Sequence, residues 1–253
     1  MTVPLVSAWS YRAVSRFDDM LIAFAEGDWC RTRKLIASLR AHDPGDAWQF
    51  ELEIRDAIAN AENTPLESTI AGLEGWIEKL EGISPGLYAL RVASVYAHYG
   101  RHDCVLELMR EAYRKSPRSP VMTLDLAQAE IRFGDAARAE QLVASLDTGT
   151  MPTNAAPFLD WVQALIRKGR GDADAGDDFR RAIAGMIDLG AGASYLQSLA
   201  VCVADYALYC MENGSMSDKV DEMLVTVWPA IRAHGEKTVV EKLSRARPEL
   251  GRE

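Results

Sequence analysis

The chain has 253 residues, of which 48% are hydrophobic and 26% charged, and its formal net charge is −9 at pH 7. This composition excludes a disordered chain, and the acidic surplus argues against a nucleic-acid-binding protein because phosphate contacts need a basic surface. The same surplus favours solubility and, weakly, a basic partner.

The sequence also argues against membrane insertion and export. No run approaches the roughly 20 consecutive apolar residues that a transmembrane helix needs, and the apolar stretch 21–25 is too short for a signal peptide. The four cysteines are widely separated and include no Cys-x-x-Cys pair, which favours free thiols over a disulfide frame: Cys30, Cys104, Cys202 and Cys210. We therefore predict a cytoplasmic protein with no membrane contact.

Apolar residues recur at three- and four-residue spacing along nearly the whole chain, which predicts an all-α fold. Gly27-Asp28 and Gly134-Asp135 each pair a helix-ending glycine with an acidic cap for the next helix, and 64–67 reads as a capping box. We predict about thirteen helices: 4–26, 28–42, 45–62, 65–81, 85–99, 102–116, 119–133, 135–148, 154–168, 172–188, 193–213, 216–234 and 236–246. The loops are short and no linker divides the chain, so we predict a single domain, 1–253.

Three glycine-to-proline intervals of nearly equal length organise this series: Gly27 to Pro44, Gly100 to Pro117, and Gly134 to Pro152. Gly100 and Gly134 lie 34 residues apart, which suits a repeat made of two helices. One such repeat cannot bury its apolar face alone and must stack on its neighbours.

The repeat positions carry a recognisable pattern of small residues, turns and prolines. In one unit they are Ala93, Tyr96, Gly100, Ala112 and Pro117; in the next they are Ala127, Gly134, Ala139 and Pro152. These units resemble tetratricopeptide repeats, and the clearest repeats are 17–44, 85–118 and 119–152. Val105 and Glu130 depart from the family pattern, which usually has alanine and a large residue there, and Met20 replaces a small residue in the first repeat.

This resemblance implies a right-handed α–α superhelix, a TPR-like solenoid of about six helix hairpins. We expect helix 236–246 to close the C-terminal end, because its charged residues make one side polar.

In this family the first helix of each repeat lines the concave groove. The corresponding exposed positions are Leu90, Arg91, Ser94, Ala97, His98, Leu124, Asp125, Gln128, Ile131 and Arg132. Family members that clamp the C-terminal carboxylate of chaperone tails have Lys and Asn where Leu90 and Ser94 stand, which disfavours that ligand. We expect Arg91 and Arg132 to hold a partner carboxylate; the alternative is an ordinary solvated helix surface.

Metal and catalytic sites find little support in the sequence. His98, His102 and Asp103 come closest to a metal cluster, but Gly100 divides them between two helices, so we predict no metal site. The acidic run 172–178 lacks the Gly and Glu positions of a calcium loop and is typical of a first helical turn. Because no nucleophile elbow, phosphate loop or dinucleotide motif appears, we predict no cofactor and no enzyme activity.

The sequence therefore favours a non-catalytic scaffold or adaptor that binds a partner peptide or helix in its groove. Two alternatives stay open: an immunity-type inhibitor that sequesters a toxin, and a helical enzyme whose site forms only in three dimensions. A homodimer through Trp9, Tyr11 and Phe17 is a further possibility.

Overall fold

A computed structural model describes residues 11–41, 45–117, 119–149, 151–189 and 193–251. Over these ranges the chain forms helices and turns and contains no strand, so the all-α prediction is confirmed. The helices are α1 (Tyr11–Ala25), α2 (Trp29–Arg40), α3 (Asp46–Ala59), α4 (Leu66–Leu73), α5 (Ile77–Glu81), α6 (Leu87–His98), α7 (His102–Lys115), α8 (Pro120–Phe133), α9 (Ala136–Ala144), α10 (Ala156–Arg170), α11 (Ala175–Asp188), α12 (Ala193–Glu212), α13 (Asp218–His234) and α14 (Lys237–Ala246). Short 3₁₀ turns lie at Glu74–Trp76, Thr153–Ala155 and Pro248–Gly251.

The helix ends follow the predicted punctuation in most places. The carboxylate of Asp28 accepts the backbone N–H of Arg31 at 3.0 Å, and that of Asp135 accepts the N–H of Ala137 at 2.9 Å. The predicted helix 65–81 is instead divided by the 3₁₀ turn into α4 and α5. Pro44 and the predicted helical residues 4–10 lie outside the described residues.

The capping box predicted at 64–67 is wrong. Helix α4 begins at Leu66 with Pro65 as its N-cap residue, and no side chain caps it. The carbonyl oxygen of Thr64 instead accepts the hydroxyl of Tyr99 at 2.6 Å. A contact 35 residues away in sequence therefore joins this turn to the end of α6.

The described chain divides into two compact units. The first contains residues up to Phe24 and those from Asp28 to Met122. Its core includes Ile36, Leu39, Phe50 and Leu52, and α2 packs on α3, α3 on α6, and α6 on α7. Phe17 points inward, with its ring 4.5 Å edge-on from Trp48, whereas Trp9 and the side chain of Tyr11 lie outside the described residues.

Gly86 makes the close approach of α6 to α7 feasible. Its φ is +84°, which a residue with a side chain rarely adopts, and an added Cβ would lie 2.7 Å from the carbonyl oxygen of Ala112. The turn before α6 therefore requires glycine for two independent reasons.

The second unit contains Ala25–Gly27 and the residues from Thr123 onward. Helix α10 packs on α11, α11 on α12, and α12 on α13. They enclose a core that includes Trp161, Phe179, Ala204, Leu224 and Ile231. Helix α14 packs on α12 through the fully buried Leu243 and keeps its charged residues exposed, as predicted for this segment.

No described helix combines the length and the apolar character that crossing a bilayer would require. The single domain and the superhelical arrangement of the hairpins stay predictions.

Candidate functional site

The predicted groove residues fall on two helices, α6 in the first unit and the part of α8 that belongs to the second unit. We take each set by itself. On α6 they are Leu90, Arg91, Ser94, Ala97 and His98; on α8 they are Leu124, Asp125, Gln128, Ile131 and Arg132.

Arg91 is the most accessible cation of the α6 set, with 42% of its side chain exposed. Its Nε donates to Oε1 of Glu51 on α3 at 2.5 Å. Neither terminal nitrogen of Arg91 has a hydrogen-bond partner among the described residues. The guanidinium is therefore held through one atom while its two outer nitrogens stay free for a ligand.

Glu51 is a strong anchor because its carboxylate forms ion pairs with two arginines. Its side chain is only 15% exposed and also accepts a bond from Arg55, one turn further along α3. Burial by itself would raise the pKa of Glu51, but the guanidinium charges of Arg91 and Arg55 outweigh it and hold the pKa below its ordinary value. Two positive charges and one negative charge leave the cluster with a positive excess.

The other α6 residues are more tightly engaged than their sequence positions suggest. The hydroxyl of Ser94 donates to the carbonyl oxygen of Arg91 at 2.6 Å. His98 meets the ring of Trp29 edge-on at 5.8 Å, and burial lowers the pKa of His98, with Glu62 acting in the opposite direction. Leu90 packs against the small core cluster that contains Ala112. Burial therefore favours the neutral form of His98.

On α8, two of the predicted exposed positions are wrong. Leu124 is buried, with 3% of its surface exposed. The side chain of Arg132 is 15% exposed, and its Nη2 donates to the buried Asp205 of α12 at 2.5 Å. The indole N–H of Trp161 donates to the same carboxylate at 2.9 Å. Both terminal nitrogens of Arg132 are thus engaged by Asp205 and are not available to a ligand.

The remaining α8 residues keep partial exposure. Asp125 and Gln128 are half-buried, and Ile131 packs against the core of the second unit. Sequence reasoning missed Asp205 altogether, since it lies 73 residues from Arg132 and nothing in the local pattern links the two.

Glu130, which departs from the family pattern, has a local structural role. Its side chain is fully buried and pairs with Arg138 at 3.2 Å, while its second oxygen accepts the N–H of Asp135 at 3.2 Å. The carboxylate joins the end of α8 to the start of α9, and this explains why an acid occupies that position.

The first unit also contains a depression that the sequence did not indicate, which we call the α4 depression. It has a volume of about 330 Å³ and lies beside α4, where α6 ends and α7 begins. Its lining residues are Leu66, Glu67, Ile70, Ala71, Glu74, Tyr96, Arg101 and Cys104. Its lining combines apolar side chains with the carboxylates of Glu67 and Glu74.

The residues that came closest to a metal site are separated as predicted. His98 ends α6 and His102 begins α7. In the acidic run 172–178, Asp178 is buried and pairs with Arg167 at 2.8 Å. Over the described ranges, no group of three or more His, Cys, Asp and Glu side chains is arranged to hold a metal ion.

No known family model matches the chain, and no curated protein matches it.

Proposed function

We propose that the chain is a non-catalytic scaffold built from TPR-like helical hairpins, and that it binds a peptide or helix of a partner protein through the face of α6 that carries Arg91. The observation that carries this proposal is the guanidinium of Arg91, which is fixed through Nε on Glu51 while both terminal nitrogens stay open. In the proposed architecture, successive hairpins stack into a right-handed superhelix with this face in the groove.

Such an arginine suits recognition of a carboxylate. The planar guanidinium can donate two parallel bonds to the two oxygens of an Asp, a Glu or a chain terminus. Glu51 has already restricted the side chain, so less conformational entropy is lost when the partner binds. Charge-assisted bonds of this kind contribute about 1.5–3 kcal/mol each when the complex shields them from water.

The pairing of the buried carboxylates supports a non-catalytic role. Asp205 is paired with Arg132, Glu130 with Arg138, and Asp178 with two arginines. An acid–base catalyst needs a carboxyl group that is open to a substrate, whereas each of these carboxylates already pairs with an arginine of the same unit.

Affinity purification from the native host, followed by calorimetry with the partner so identified, tests the proposal. Arg91→Ala should weaken the partner at least tenfold, which corresponds to the loss of about 1.4 kcal/mol. The matched control is Arg114→Ala, which removes an exposed arginine of α7 in the same unit. Equal affinities for the wild type and Arg91→Ala would contradict the proposal.

An immunity-type inhibitor of a basic toxin is the second candidate, and the net charge of −9 favours it. Long-range attraction would speed association with a basic protein, and salt would screen it. A steep fall of the association rate with ionic strength would favour the inhibitor, whereas a salt-insensitive rate would favour a scaffold with an apolar peptide.

A further inference from the structure

The α4 depression is built on one side of a helix. The lining from this side combines the apolar Leu66, Ile70 and Ala71 with two exposed carboxylates, Glu67 and Glu74. Tyr96 of α6 forms part of the opposite wall. A volume of about 330 Å³ accommodates long side chains and lies at the lower end of the usual range for ligand pockets.

The depression carries uncompensated negative charge. Neither Glu67 nor Glu74 has a hydrogen bond or an ion pair with any described residue. The one cation in the lining, Arg101, is already paired with Asp103, with bonds of 3.2 Å and 3.1 Å. Arg101 and Asp103 cancel each other, so the charge of both glutamates remains.

Glu67 and Glu74 both affect the phenol of Tyr96 electrostatically. Burial is the main cause that raises the pKa of the Tyr96 phenol; Cys104 raises it next, Arg101 lowers it, and Glu67 and Glu74 raise it by smaller amounts. Their fields therefore overlap at the Tyr96 side of the depression. A cation placed there would be attracted by both carboxylates.

We infer that the α4 depression docks a basic segment of a partner protein, in which two Lys or Arg side chains lie two helical turns apart on either side of small apolar residues. Glu67 and Glu74 are seven residues apart, which is roughly 10 Å along a helix axis. A helix with cations at i and i+7 repeats that spacing. The apolar stems of its cations would cover Ile70 and Ala71, and the ring of Tyr96 offers a cation–π contact.

This docking site is separate from the face that carries Arg91. At 3.6 residues per turn, Tyr96 lies roughly 140° to 160° around α6 from Arg91, Ser94 and His98. The two surfaces also differ in sign, since one presents a guanidinium and the other presents two carboxylates. A failure at either surface leaves the other unaffected.

The test uses a fluorescently labelled helical peptide with Lys at two positions seven residues apart and Ala or Leu between them. At low salt, the double variant Glu67→Gln/Glu74→Gln should bind it about tenfold more weakly than the wild type, the sum expected for two exposed ion pairs within their usual range. The double variant Glu78→Gln/Glu222→Gln is the control, because it removes the same charge from exposed positions outside the depression. The folded state should survive in both, since only unpaired surface carboxylates change.

Cys104 reports the location of the bound peptide independently. In a Cys30→Ser background Cys104 is the accessible thiol of the described chain, because Cys202 and Cys210 are buried. Saturating peptide should slow the alkylation of Cys104 several-fold, and a peptide with Glu in place of Lys should leave it unchanged.

Three results would overturn the inference. The first is equal affinity of the wild type and Glu67→Gln/Glu74→Gln, or an equal loss in the control variant. The second is undetectable binding of the Lys peptide, or binding without protection of Cys104. The third is displacement of the peptide by an equal concentration of a free diamine, which would make the depression a site for small cations instead.

Discussion

Two arginines that the sequence assigns to one groove have different roles in the structure. Arg91 in the first unit donates to a carboxylate only through its Nε, and 42% of its side chain is exposed. Arg132 in the second unit directs both terminal nitrogens to Asp205, at 3.4 Å and 2.5 Å, inside the core. The atom through which an arginine is anchored therefore decides whether it can still bind a ligand.

The largest expected effect separates the two arginines by stability. Arg132→Ala should lower the free energy of unfolding by about 3–5 kcal/mol, because it leaves the buried Asp205 without its counter-charge. Arg91→Ala should cost less than about 1 kcal/mol, since Arg55 still neutralises Glu51 and the lost pair is partly exposed.

Urea denaturation of the two single variants measures this difference. In the double variant Arg132→Ala/Asp205→Ala, the cost should be well below the sum of the single costs, because no unpaired buried charge remains. Similar stabilities for Arg91→Ala and Arg132→Ala would show that the contrast between the two sites is wrong.

Close helix contacts provide a second comparison. Gly86→Ala in the first unit should cost about 2–4 kcal/mol, because it combines a left-handed φ with an approach of 2.7 Å to the backbone of Ala112. Gly185→Ala in the second unit should cost about 1–2 kcal/mol, since its Cβ would meet the ring of Pro157 at 2.7 Å but its helical backbone suits alanine.

Gly169→Ala is the control for both variants. Nothing lies within 4 Å of its added Cβ, and it lies within α10, so alanine should stabilise the protein by about 0.5–1 kcal/mol. Thermal denaturation should rank the three variants with Gly86→Ala lowest. A Gly86→Ala protein as stable as the wild type would exclude the close approach described for α6 and α7.

The smallest effect concerns acid stability at the anchor of Arg91. The pKa of Glu51 is lowered from an ordinary value of 4.5, so its ionisation stabilises the folded state fully above that pH. This contribution is lost as the pH falls below 4.5 and passes through the folded-state pKa. In Glu51→Gln the unfolding free energy should therefore fall less steeply as the pH drops below 4.5 than in the wild type.

Denaturation curves between neutral pH and pH 3 test this, with Asp188→Asn as a control for an exposed carboxylate. An unchanged slope in Glu51→Gln would remove Glu51 as an ionised anchor.

The candidate site was predictable only in part, and the failures have a common cause. The helical periodicity places Arg91 correctly on an accessible face, because exposure there depends mainly on its own helix and the adjacent hairpin. Arg132 follows the same periodicity but pairs with Asp205 of α12, and Leu124 follows it but is buried. The sequence shows Glu67 and Glu74 but does not predict the α4 depression. The depression forms only where α4 lies beside the turn between α6 and α7.

By itself the sequence determined the all-helical class, the positions of most helices and the glycine–aspartate boundaries between them. These features depend on interactions within a few residues, such as i, i+4 bonds, caps and backbone conformational preference. Only the tertiary structure decided that Arg91 meets Glu51, that Arg132 meets the buried Asp205, and that the carbonyl oxygen of Thr64 accepts the hydroxyl of Tyr99. Those partners lie 35 to 73 residues apart, and packing alone brings them together.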